Sequence, residues 1–453
     1  MTRSSPAQRP RSGEVARPSA PVRIERLAAG GDGIGKLEDG RTVFVPRSAP
    51  GDLIEVADLR LHKRFARGRI GKVLEAGPGR VTPKCGHYDR DRCGGCQWQH
   101  LDAEHQTRAK SAIIGDALRR LGKLEIADPE VVPAVQGFGY RTKITLARGK
   151  DGALGLHREG EPDRIFPLER CELIDPKLQE AWELLRPVQR HLPRTLERLV
   201  LRLDRAGEVH VIVETAGGDA WTGAGELAGR LGRGPAVPAG ATSVSVTLWW
   251  RPEGGSPRVV AGAPGAPAGG GRTAYPATVF EQVNPVMGDA VRAYAVAQAG
   301  DVKGKHCWDL YAGIGETTAM LVELGATVES VEGDRRAVEL AQKHPGLRIL
   351  RSAQDGASDL GLLQAGKVED LVGSLKRPDL VITNPPRIGM EERAVEGVRR
   401  AGPPRIVYVS CDPATLARDV ARLGPGYRVV AVKGFDLFPQ TAHVETVLTL
   451  EAR

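Results

Sequence analysis

The chain has 453 residues, of which 41% are hydrophobic and only 4% aromatic, and a formal net charge of +8 at neutral pH. This length favours two or three domains over a single core, and a mainly aliphatic core suits an α/β architecture. No stretch approaches the roughly 20 consecutive apolar residues of a membrane helix, which argues against a membrane protein, while the basic balance suggests a polyanionic partner.

The N-terminal part predicts a tail followed by a small barrel. Residues 1–20 carry arginines among Ser, Pro and Ala with no apolar run, so we expect a disordered basic tail rather than a signal peptide. Residues 21–79 show short alternating apolar segments between glycine turns, which is typical of an OB-like antiparallel barrel. Within it, the basic run with Lys63, Arg64 and Phe65 is either a solvated edge strand or a surface that follows RNA phosphates.

Residues 80–275 predict a central α+β domain. A helical stretch over 103–121 is expected to pack on the domain that follows, and mixed strands come after it. The residues 232–272 are rich in Gly, Pro and Ala, which indicates a loop or linker and a domain boundary close to residue 275.

The central domain begins with a cysteine cluster made of Cys85, Cys93, Cys96 and the distant Cys171. Six cysteines in this chain are too few for a disulfide scaffold, and clustered cysteines in a cytoplasmic protein point to metal binding. Four thiolates can hold a tetrahedral zinc ion or an iron–sulfur cluster, and the spacing alone does not decide between them.

Residues 276–453 predict a doubly wound parallel sheet, because apolar strand-like runs alternate with stretches of helix length. The predicted strands are 306–311, 328–332, 348–352, 379–383, 405–411, 428–434 and 443–450. Such sheets bind ligands at the carboxyl edge of their strands.

The first two of these strands end in a candidate cofactor site. The first runs into Asp309-Leu-Tyr311-Ala-Gly313-Ile-Gly315-Glu316, and the second ends in Glu332. The glycine pair lets the backbone approach a nucleotide-like ligand, and a carboxylate after the second strand can accept both hydroxyls of a ribose. Glu316 would repel a pyrophosphate. The set resembles the S-adenosylmethionine site of class I methyltransferases, which favours that cofactor over NAD.

Three later strand ends carry candidate reacting groups. Asn384 begins Asn-Pro-Pro-Arg387, where two prolines stiffen a turn and the amide can read the edge of a nucleobase. Cys411 ends a strand directly before a predicted helix, whose N-terminus is expected to favour the thiolate over the thiol. Glu445, or His443 beside it, can serve as a base.

These segments resemble signature motifs of the bacterial RNA 5-methyluridine methyltransferases. The matching segments are Asn384-Pro-Pro-Arg387, Val409-Ser-Cys411-Asp-Pro-Ala-Thr-Leu-Ala-Arg418, His443-Val-Glu445, Phe280-Glu-Gln282-Val-Asn284-Pro and Gly139-Tyr-Arg141-Thr-Lys143. Residues 22–78 are similar to the TRAM domain of that family, an RNA-binding OB-like barrel. The resemblance covers nearly the whole chain and implies a class I methyltransferase fold at the C-terminus.

The resemblance also implies a mechanism and residue roles. The Cys411 thiolate adds to C6 of uracil, so that C5 can attack the methyl group of S-adenosylmethionine, and Glu445 then removes the C5 proton. The expected cofactor contacts are Gln282, Asp309, Tyr311, Gly313, Gly315, Glu316, Glu332 and Asn384. The expected RNA or base contacts are Phe280, Asn384, Arg387, Lys63, Arg64, Phe65, Arg141 and Lys143.

By the same resemblance we expect a [4Fe–4S] cluster rather than zinc, and 23S ribosomal RNA as the substrate of a cytoplasmic monomer. The TRAM-like barrel and the cysteines favour ribosomal RNA because the bacterial transfer-RNA branch typically lacks both. Asn384 stands where the family usually has Asp, and Tyr311 and Glu316 stand where the ribosomal enzymes have Phe and Asn. The alternatives are a transfer-RNA uridine, a cytosine-C5 or base-amine methyltransferase, and an inactive RNA-binding iron–sulfur protein.

Overall fold

The structure is a computed structural model that describes residues 15–16, 20–217, 221–231, 246–262, 281–341, 347–349 and 361–453. Within these ranges the chain builds three sheets of six, seven and nine strands. The barrel, the central α+β part and the mainly parallel C-terminal sheet agree with the predicted architecture. No helix in these ranges is long and apolar enough to cross a membrane.

The N-terminal sheet is a barrel that closes because its last strand pairs with two others. Its strands are β1 (Val15–Ala16), β2 (Val22–Leu27), β3 (Gly33–Lys36), β4 (Thr42–Val45), β5 (Leu53–Leu61) and β6 (Phe65–Glu75). Strand β6 pairs with both β4 and β5, and aliphatic side chains that alternate along the strands fill the interior. Of the tail expected to be disordered, residues 1–14 and 17–19 lie outside the described residues, and Val15–Ala16 pair with β5.

The cysteine segment leads into a helix that packs on the C-terminal domain. Its elements are α1 (Gly86–Arg90), α2 (Ala103–Arg120) and β7 (Val131–Val132). Asp102 caps α2 by accepting a hydrogen bond from the His105 backbone N–H. Ile114 and Leu118 of α2 are fully buried in the core of the C-terminal domain, and β7 adds an edge strand to its sheet.

The central sheet has the order β10-β9-β8-β11-β12-β13-β14 and is covered by helices. Its elements are β8 (Lys143–Arg148), β9 (Leu154–Arg158), β10 (Glu161–Pro167), α3 (Pro176–Leu185), a 3-10 helix (Arg186–His191), β11 (Leu196–Leu203), β12 (Val209–Thr215), α4 (Ala224–Leu231), β13 (Val246–Pro252) and β14 (Arg258–Ala261). The linker expected over 232–272 is therefore wrong at β13 and β14. The β-branched and aromatic residues of β13 pair with β12, although Gly- and Pro-rich segments flank the strand.

The C-terminal sheet has the order β17-β18-β16-β15-β19-β20-β22-β21-β7, and of these nine strands only β22 runs antiparallel to its neighbours. Its elements are α5 (Pro285–Ala297), β15 (His306–Leu310), α6 (Glu316–Glu323), β16 (Thr327–Glu332), α7 (Arg335–Ala341), β17 (Leu347–Ile349), β18 (Gly361–Ala365), α8 (Val368–Leu371), β19 (Leu380–Thr383), α9 (Glu392–Ala401), β20 (Arg405–Ser410), α10 (Pro413–Leu423), β21 (Tyr427–Phe435) and β22 (Glu445–Ala452). Strand β18 was not predicted, since its five residues carry little β-branched signal.

The loop that precedes β22, residues 436–443, is held by side chains from outside the C-terminal domain. Lys110 of α2 is fully buried, and its ammonium lies 2.5 Å from an Asp436 oxygen and donates to the Phe438 carbonyl at 3.1 Å. Gln106 accepts a hydrogen bond from the Gln440 backbone N–H at 2.8 Å and donates to its side-chain oxygen at 3.0 Å. Helix α2 thereby fixes the chain that enters the last strand.

Candidate active site

Sequence and sheet register bring Cys411 and Glu445 to one edge of the C-terminal sheet. Cys411 directly follows β20, and Asp412 then caps α10 by accepting hydrogen bonds from the Ala414 and Thr415 backbone N–H groups at 2.8 and 3.1 Å. Strand β22 runs antiparallel to β20, with Ser410 opposite Thr446, so that its first residue Glu445 lies next to Cys411. The pairing of a strand end with a strand start puts both groups at the carboxyl edge.

The environment of Cys411 disfavours the thiolate, contrary to the expectation from the helix N-terminus. Burial raises the pKa of the Cys411 thiol, and the nearby Glu445 carboxylate raises it further. The Arg387 guanidinium opposes both effects through its charge and a hydrogen bond to the side chain. The sulfur is therefore a thiol at rest, and Arg387 is the group that favours its ionisation.

Arg387 also links the cysteine to His443. Its Nη2 atom lies 3.0 and 2.9 Å from the two ring nitrogens of His443. Burial, together with the charge of Arg387, lowers the pKa of His443 to about 4, so the imidazole is neutral at pH 7. A neutral imidazole leaves the guanidinium charge available to an anionic group at the site.

Glu445 is a buried carboxyl with one unpaired oxygen. The residue is 2% exposed, and its Oε2 atom has no hydrogen-bond partner within the described part of the chain. Burial raises the pKa of Glu445 to about 8, against the opposing charge of Arg387. A carboxyl group that ionises near neutral pH can both hold and accept a proton, which is the requirement for a general base.

The carboxyl ends of β15 and β16 form a second set beside this one. The Gly313 backbone N–H donates to Glu332 Oε2 at 2.7 Å, and the Asp334 N–H donates to Oε1 at 2.7 Å. Gly313 has a φ of +59° and Gly315 one of +80°, values that favour glycine. The Glu332 carboxylate is thereby held against the glycine loop, as a ribose site requires.

Asp309 anchors the glycine loop from below. It accepts a hydrogen bond from the Thr318 hydroxyl at 2.6 Å, and burial raises the pKa of Asp309 to about 7. Tyr311, two residues after Asp309, adopts a φ of +63°, and burial also raises the pKa of its hydroxyl. A non-glycine residue in this conformation marks a constrained position at the sheet edge.

Glu316 is tied into a charged cluster that joins the central and C-terminal domains. Its carboxylate contacts Arg292 of α5 and lies 3.8 Å from Arg205, which follows β11 of the central sheet. Arg205 also contacts Asp289 at 3.0 Å and Glu281 at 2.5 Å. Sequence reasoning missed the two arginines, because nothing local to a turn or a helix face indicates which carboxylates from a distant segment they meet.

Of the remaining predicted cofactor and base residues, Gln282 and Asn384 lie in the described part of the chain. Gln282 precedes α5 and packs beside Gly288, where an added Cβ would come within 3.0 Å of it. Asn384 is exposed at the end of β19, and its backbone N–H donates to Leu310 O at 3.1 Å. Phe280 lies outside the described residues.

The four predicted metal ligands line one cavity in the central part of the chain. Cys85, Cys93, Cys96 and Cys171 are all free thiols, and the cavity that they surround has a volume of about 380 Å³. Burial raises the pKa of Cys93 to about 11 and that of Cys96 to about 12. Neutral thiols are the form expected without a metal, since a bound cation deprotonates its thiol ligands.

Arg141 and Lys143 line this same cavity. Burial opposes the charge of Arg141, but Tyr140, through its charge and a hydrogen bond, and then Cys96 and Cys171 raise the pKa of the guanidinium. Both side chains therefore border the cysteine cavity, and their contact with RNA stays a prediction.

The spacing of the thiols bears on what they hold. Among the described residues, three or more ligand atoms of His, Cys, Asp or Glu lie within 4.8 Å of one another only at Asp204, Glu208 and His210. In that set His210 is already satisfied, with Asp204 3.1 Å from its Nε2 and Trp249 donating to its Nδ1 at 3.1 Å. It follows that no three of the four cysteine sulfurs lie within 4.8 Å of one another.

The barrel carries an aromatic platform made of His62, Phe65 and Phe44. The rings of His62 and Phe65 stack with centroids 4.4 Å apart and an angle of 17°, and Phe44 meets Phe65 edge-on at 6.0 Å. Arg67 lies over the Phe44 ring at 5.7 Å. The exposed Lys63 and Arg64 stand in the turn beside the platform, a combination that suits unpaired nucleotides.

Comparison with family models gives two matches. Residues 362–453 match the tRNA (uracil-5-)-methyltransferase model, and residues 20–70 match the TRAM domain model. The first match contains Asn384, Cys411 and Glu445, and the second contains the aromatic platform.

Whole-chain relatives show the same resemblance. An RNA methyltransferase of Gloeobacter violaceus is 34% identical over 95% of this chain and 96% of its own length. The 23S rRNA (uracil(1939)-C(5))-methyltransferase RlmD of Chromohalobacter salexigens is 31% identical over 94% of this chain and 88% of its own. The tRNA (uracil-54, C5)-methyltransferase of Pyrococcus abyssi, solved with S-adenosyl-L-homocysteine, has a TM-score of 0.65 at 25% identity and covers 95% of this chain and 99% of that chain.

The raised pKa of Glu445 predicts how the stability of the protein depends on pH. The folded-state pKa of about 8 lies above the ordinary 4.5, so the folded protein keeps a proton that the unfolded chain has already released. The stability from this site is therefore complete below the unfolded pKa and is lost as the pH rises through the folded pKa. Glu445→Gln carries no such proton, so this pH-dependent loss of stability should be absent in the variant. The loss in wild type amounts to roughly 1.4 kcal/mol for each unit by which folding raises the pKa.

Urea-unfolding midpoints of wild type and Glu445→Gln at pH 5, 7 and 9 measure this effect. The stability of the variant relative to wild type should increase from pH 5 to 7 and again from pH 7 to 9. Glu323→Gln, which changes an exposed carboxylate of the same domain, serves as the control and should show a constant difference. A Glu445→Gln difference that does not change with pH would contradict the buried, raised carboxyl.

Proposed function

Because the chain belongs to the RNA (uracil-5-)-methyltransferase family, we propose that it methylates C5 of a uridine in 23S ribosomal RNA with S-adenosylmethionine as methyl donor. The observation that carries this proposal is the convergence of Cys411, Arg387 and Glu445 at one sheet edge, beside the glycine loop and Glu332. We also propose that it acts in the cytoplasm, because the proposed substrate is ribosomal RNA.

Each group at this edge has a role in the proposed reaction. Cys411 releases its proton to water with the help of the Arg387 charge, and the sulfur forms a bond to C6 of the uracil while the π electrons of C5–C6 move to C5. C5 would then attack the methyl group of S-adenosylmethionine, and S-adenosyl-L-homocysteine would leave with the electrons of the broken sulfur–methyl bond, so that C5 carries both a methyl group and its original proton. Glu445, after it has released its own proton to water, takes the C5 proton, the electrons reform the C5–C6 double bond, and the C–S bond breaks to release Cys411 as thiolate.

The pKa values support this order of events. While Glu445 is protonated it does not raise the pKa of Cys411, so the thiol ionises more easily. The proton-abstraction step needs the ionised form of Glu445, whose pKa is about 8. Arg387 favours the charged form of both residues and is the cation that the site offers to each of them.

The cofactor side fits S-adenosylmethionine through the chain's own residues. Glu332 would accept the ribose hydroxyls, and the Gly313–Gly315 loop leaves room for the nucleoside to approach the backbone. Glu316, with its two arginine partners, would face the charged amino-acid end. The cofactor supplies the methyl group. On the substrate side, the Asn384 amide oxygen would accept a hydrogen bond from N3–H of uracil, and its NH2 group would donate one to O4.

Trapping the adduct tests the mechanism. Wild type is expected to form a covalent complex with 5-fluorouridine RNA in the presence of S-adenosylmethionine, because fluorine at C5 cannot leave as a proton. Cys411→Ala should form none and yet bind S-adenosyl-L-homocysteine as wild type does, measured by gel shift under denaturing conditions and by calorimetry.

Glu445→Gln is the matched variant, since it should accumulate the methylated adduct with ordinary uridine RNA, where only the last step is blocked. An adduct that survives Cys411→Ala, or wild type that forms none, would contradict the proposal.

Transfer RNA is the second candidate substrate, and a specific observation favours it. This chain covers 99% of the Pyrococcus abyssi enzyme, which acts on tRNA uracil-54. A similarity over the full length therefore does not by itself indicate a ribosomal substrate. The ribosomal proposal depends on the RlmD relative, which covers the chain equally well.

Mapping 5-methyluridine in 23S and transfer RNA, from cells with and without this gene, distinguishes the two substrates. We expect one 23S position to lose its methyl group on deletion and to regain it with wild-type enzyme but not with Cys411→Ala. Loss confined to transfer RNA would instead establish the second candidate.

We also propose that the four cysteines hold a [4Fe–4S] cluster rather than zinc. A tetrahedral zinc ion with bonds of about 2.3 Å would draw its sulfurs to about 3.8 Å from one another. No three cysteine sulfurs lie within 4.8 Å, and they surround a cavity of about 380 Å³, which suits a larger group. Arg141 would offset part of the negative charge of four thiolates. The cluster would act as a cross-link, since methyl transfer includes no redox step.

Visible absorption distinguishes the two metals. Protein purified without oxygen is expected to be brown with a broad visible band, and Cys93→Ser should lose the colour. Cys307→Ala, which changes a buried cysteine of β15 outside the cluster, should keep it. Colourless wild type that contains one zinc ion per chain would show that the cluster assignment is wrong.

A further inference from the structure

Ile388 stands at the tip of a tight turn directly after Arg387. The turn is closed by a hydrogen bond from the Gly389 N–H to the Pro386 carbonyl at 2.8 Å, and Gly389 adopts a φ of +77°. A side chain at Gly389 would meet Arg418 and Asp419 at 2.4 Å, so the turn packs closely against these two residues and needs glycine there. That conformation leaves Ile388 65% exposed.

The turn is rigid as well as exposed. Arg418 Nη2 donates to the Ile388 carbonyl at 2.7 Å, and the Thr415 hydroxyl donates to the Arg387 carbonyl at 3.2 Å. On the far side, buried Asp419 accepts from the Met390 N–H at 2.8 Å. The segment is thus fastened to helix α10, which begins immediately after Cys411.

The turn places an exposed aliphatic side chain directly after Arg387. Arg387, the preceding residue, contacts both the Cys411 and His443 side chains. A single exposed aliphatic residue is ordinary on a protein surface. An aliphatic residue on a turn fixed by prolines, a glycine and four hydrogen bonds presents an apolar tip at a fixed place, since the backbone that carries it is held.

We propose that Ile388 is a wedge that enters the RNA base stack and occupies the space vacated by the target uridine. This inference rests on the proposed function, in which the base must leave its stack to reach Cys411. Stiff aliphatic side chains serve this purpose in other nucleic-acid-binding proteins, where they insert between bases and stabilise the unstacked form. The rigid turn would keep the wedge at a fixed distance from the sulfur.

The test compares two 5-fluorouridine hairpins that differ next to the target. In the first the uridine is stacked between normal neighbours, and in the second an abasic site adjoins it, so that the stack is already weakened. The measured quantities are the rate of adduct formation and the affinity for S-adenosyl-L-homocysteine. The variants are Ile388→Ala and Ile388→Leu, with Leu324→Ala as the control, since Leu324 is 52% exposed at the end of α6.

Ile388→Ala is expected to slow adduct formation on the stacked hairpin about tenfold and on the abasic one less than about twofold, because the wedge matters only where a stack must open. Ile388→Leu should retain most of the rate, and Leu324→Ala should change neither. Equal slowing on both hairpins, or none on the stacked one, would overturn the wedge. Wild type that forms no adduct with either hairpin would instead contradict the proposed function.

Discussion

The buried contact between Lys110 and Asp436 is the constraint on which the catalytic edge depends. Both side chains are removed from water, and burial lowers the pKa of the lysine and raises that of the aspartate, while each charge opposes the shift of the other. Loss of one partner from a buried pair costs about 3–5 kcal/mol, because the other charge is left uncompensated. The buried pair therefore stabilises one conformation of loop 436–443, which leads into Glu445.

The same loop is bound from two further sides. The Gln97 and Trp98 backbone N–H groups, which follow directly after Cys96, both donate to the Gln440 carbonyl at 3.1 and 3.0 Å. Asn284, at the start of α5, donates to the Leu437 carbonyl at 3.1 Å. The cysteine segment and the first helix of the C-terminal domain thus meet at one loop, and a metal centre at Cys96 would stiffen the chain that presents the base.

Opposed electrostatic effects define the reacting groups themselves. Cys411 and Glu445 are each less acidic than in water because both are buried, and a single guanidinium favours the ionised form of each. Both groups are therefore protonated at rest, and Arg387 is the charge that favours their ionisation. The charged cluster around Glu316 adds a second coupling, since Arg205 brings the central sheet into contact with the cofactor loop.

The sequence by itself determined the order of the domains, the parallel C-terminal sheet and the residues at its strand ends. Strand periodicity and motifs such as the one around Cys411 are local properties, so they can be recognised from the sequence alone. The linker expected at 232–272 was wrong at β13 and β14, because flanking Gly and Pro hid β13, which pairs with β12 from an earlier segment of the chain. Only the tertiary structure decided the ionisation of Cys411 and Glu445, the contacts of Arg141 and the anchoring of loop 436–443. Burial and Coulomb interactions depend on which distant segments meet, and helix-terminus reasoning at Cys411 could not include Glu445 or the loss of water around the sulfur.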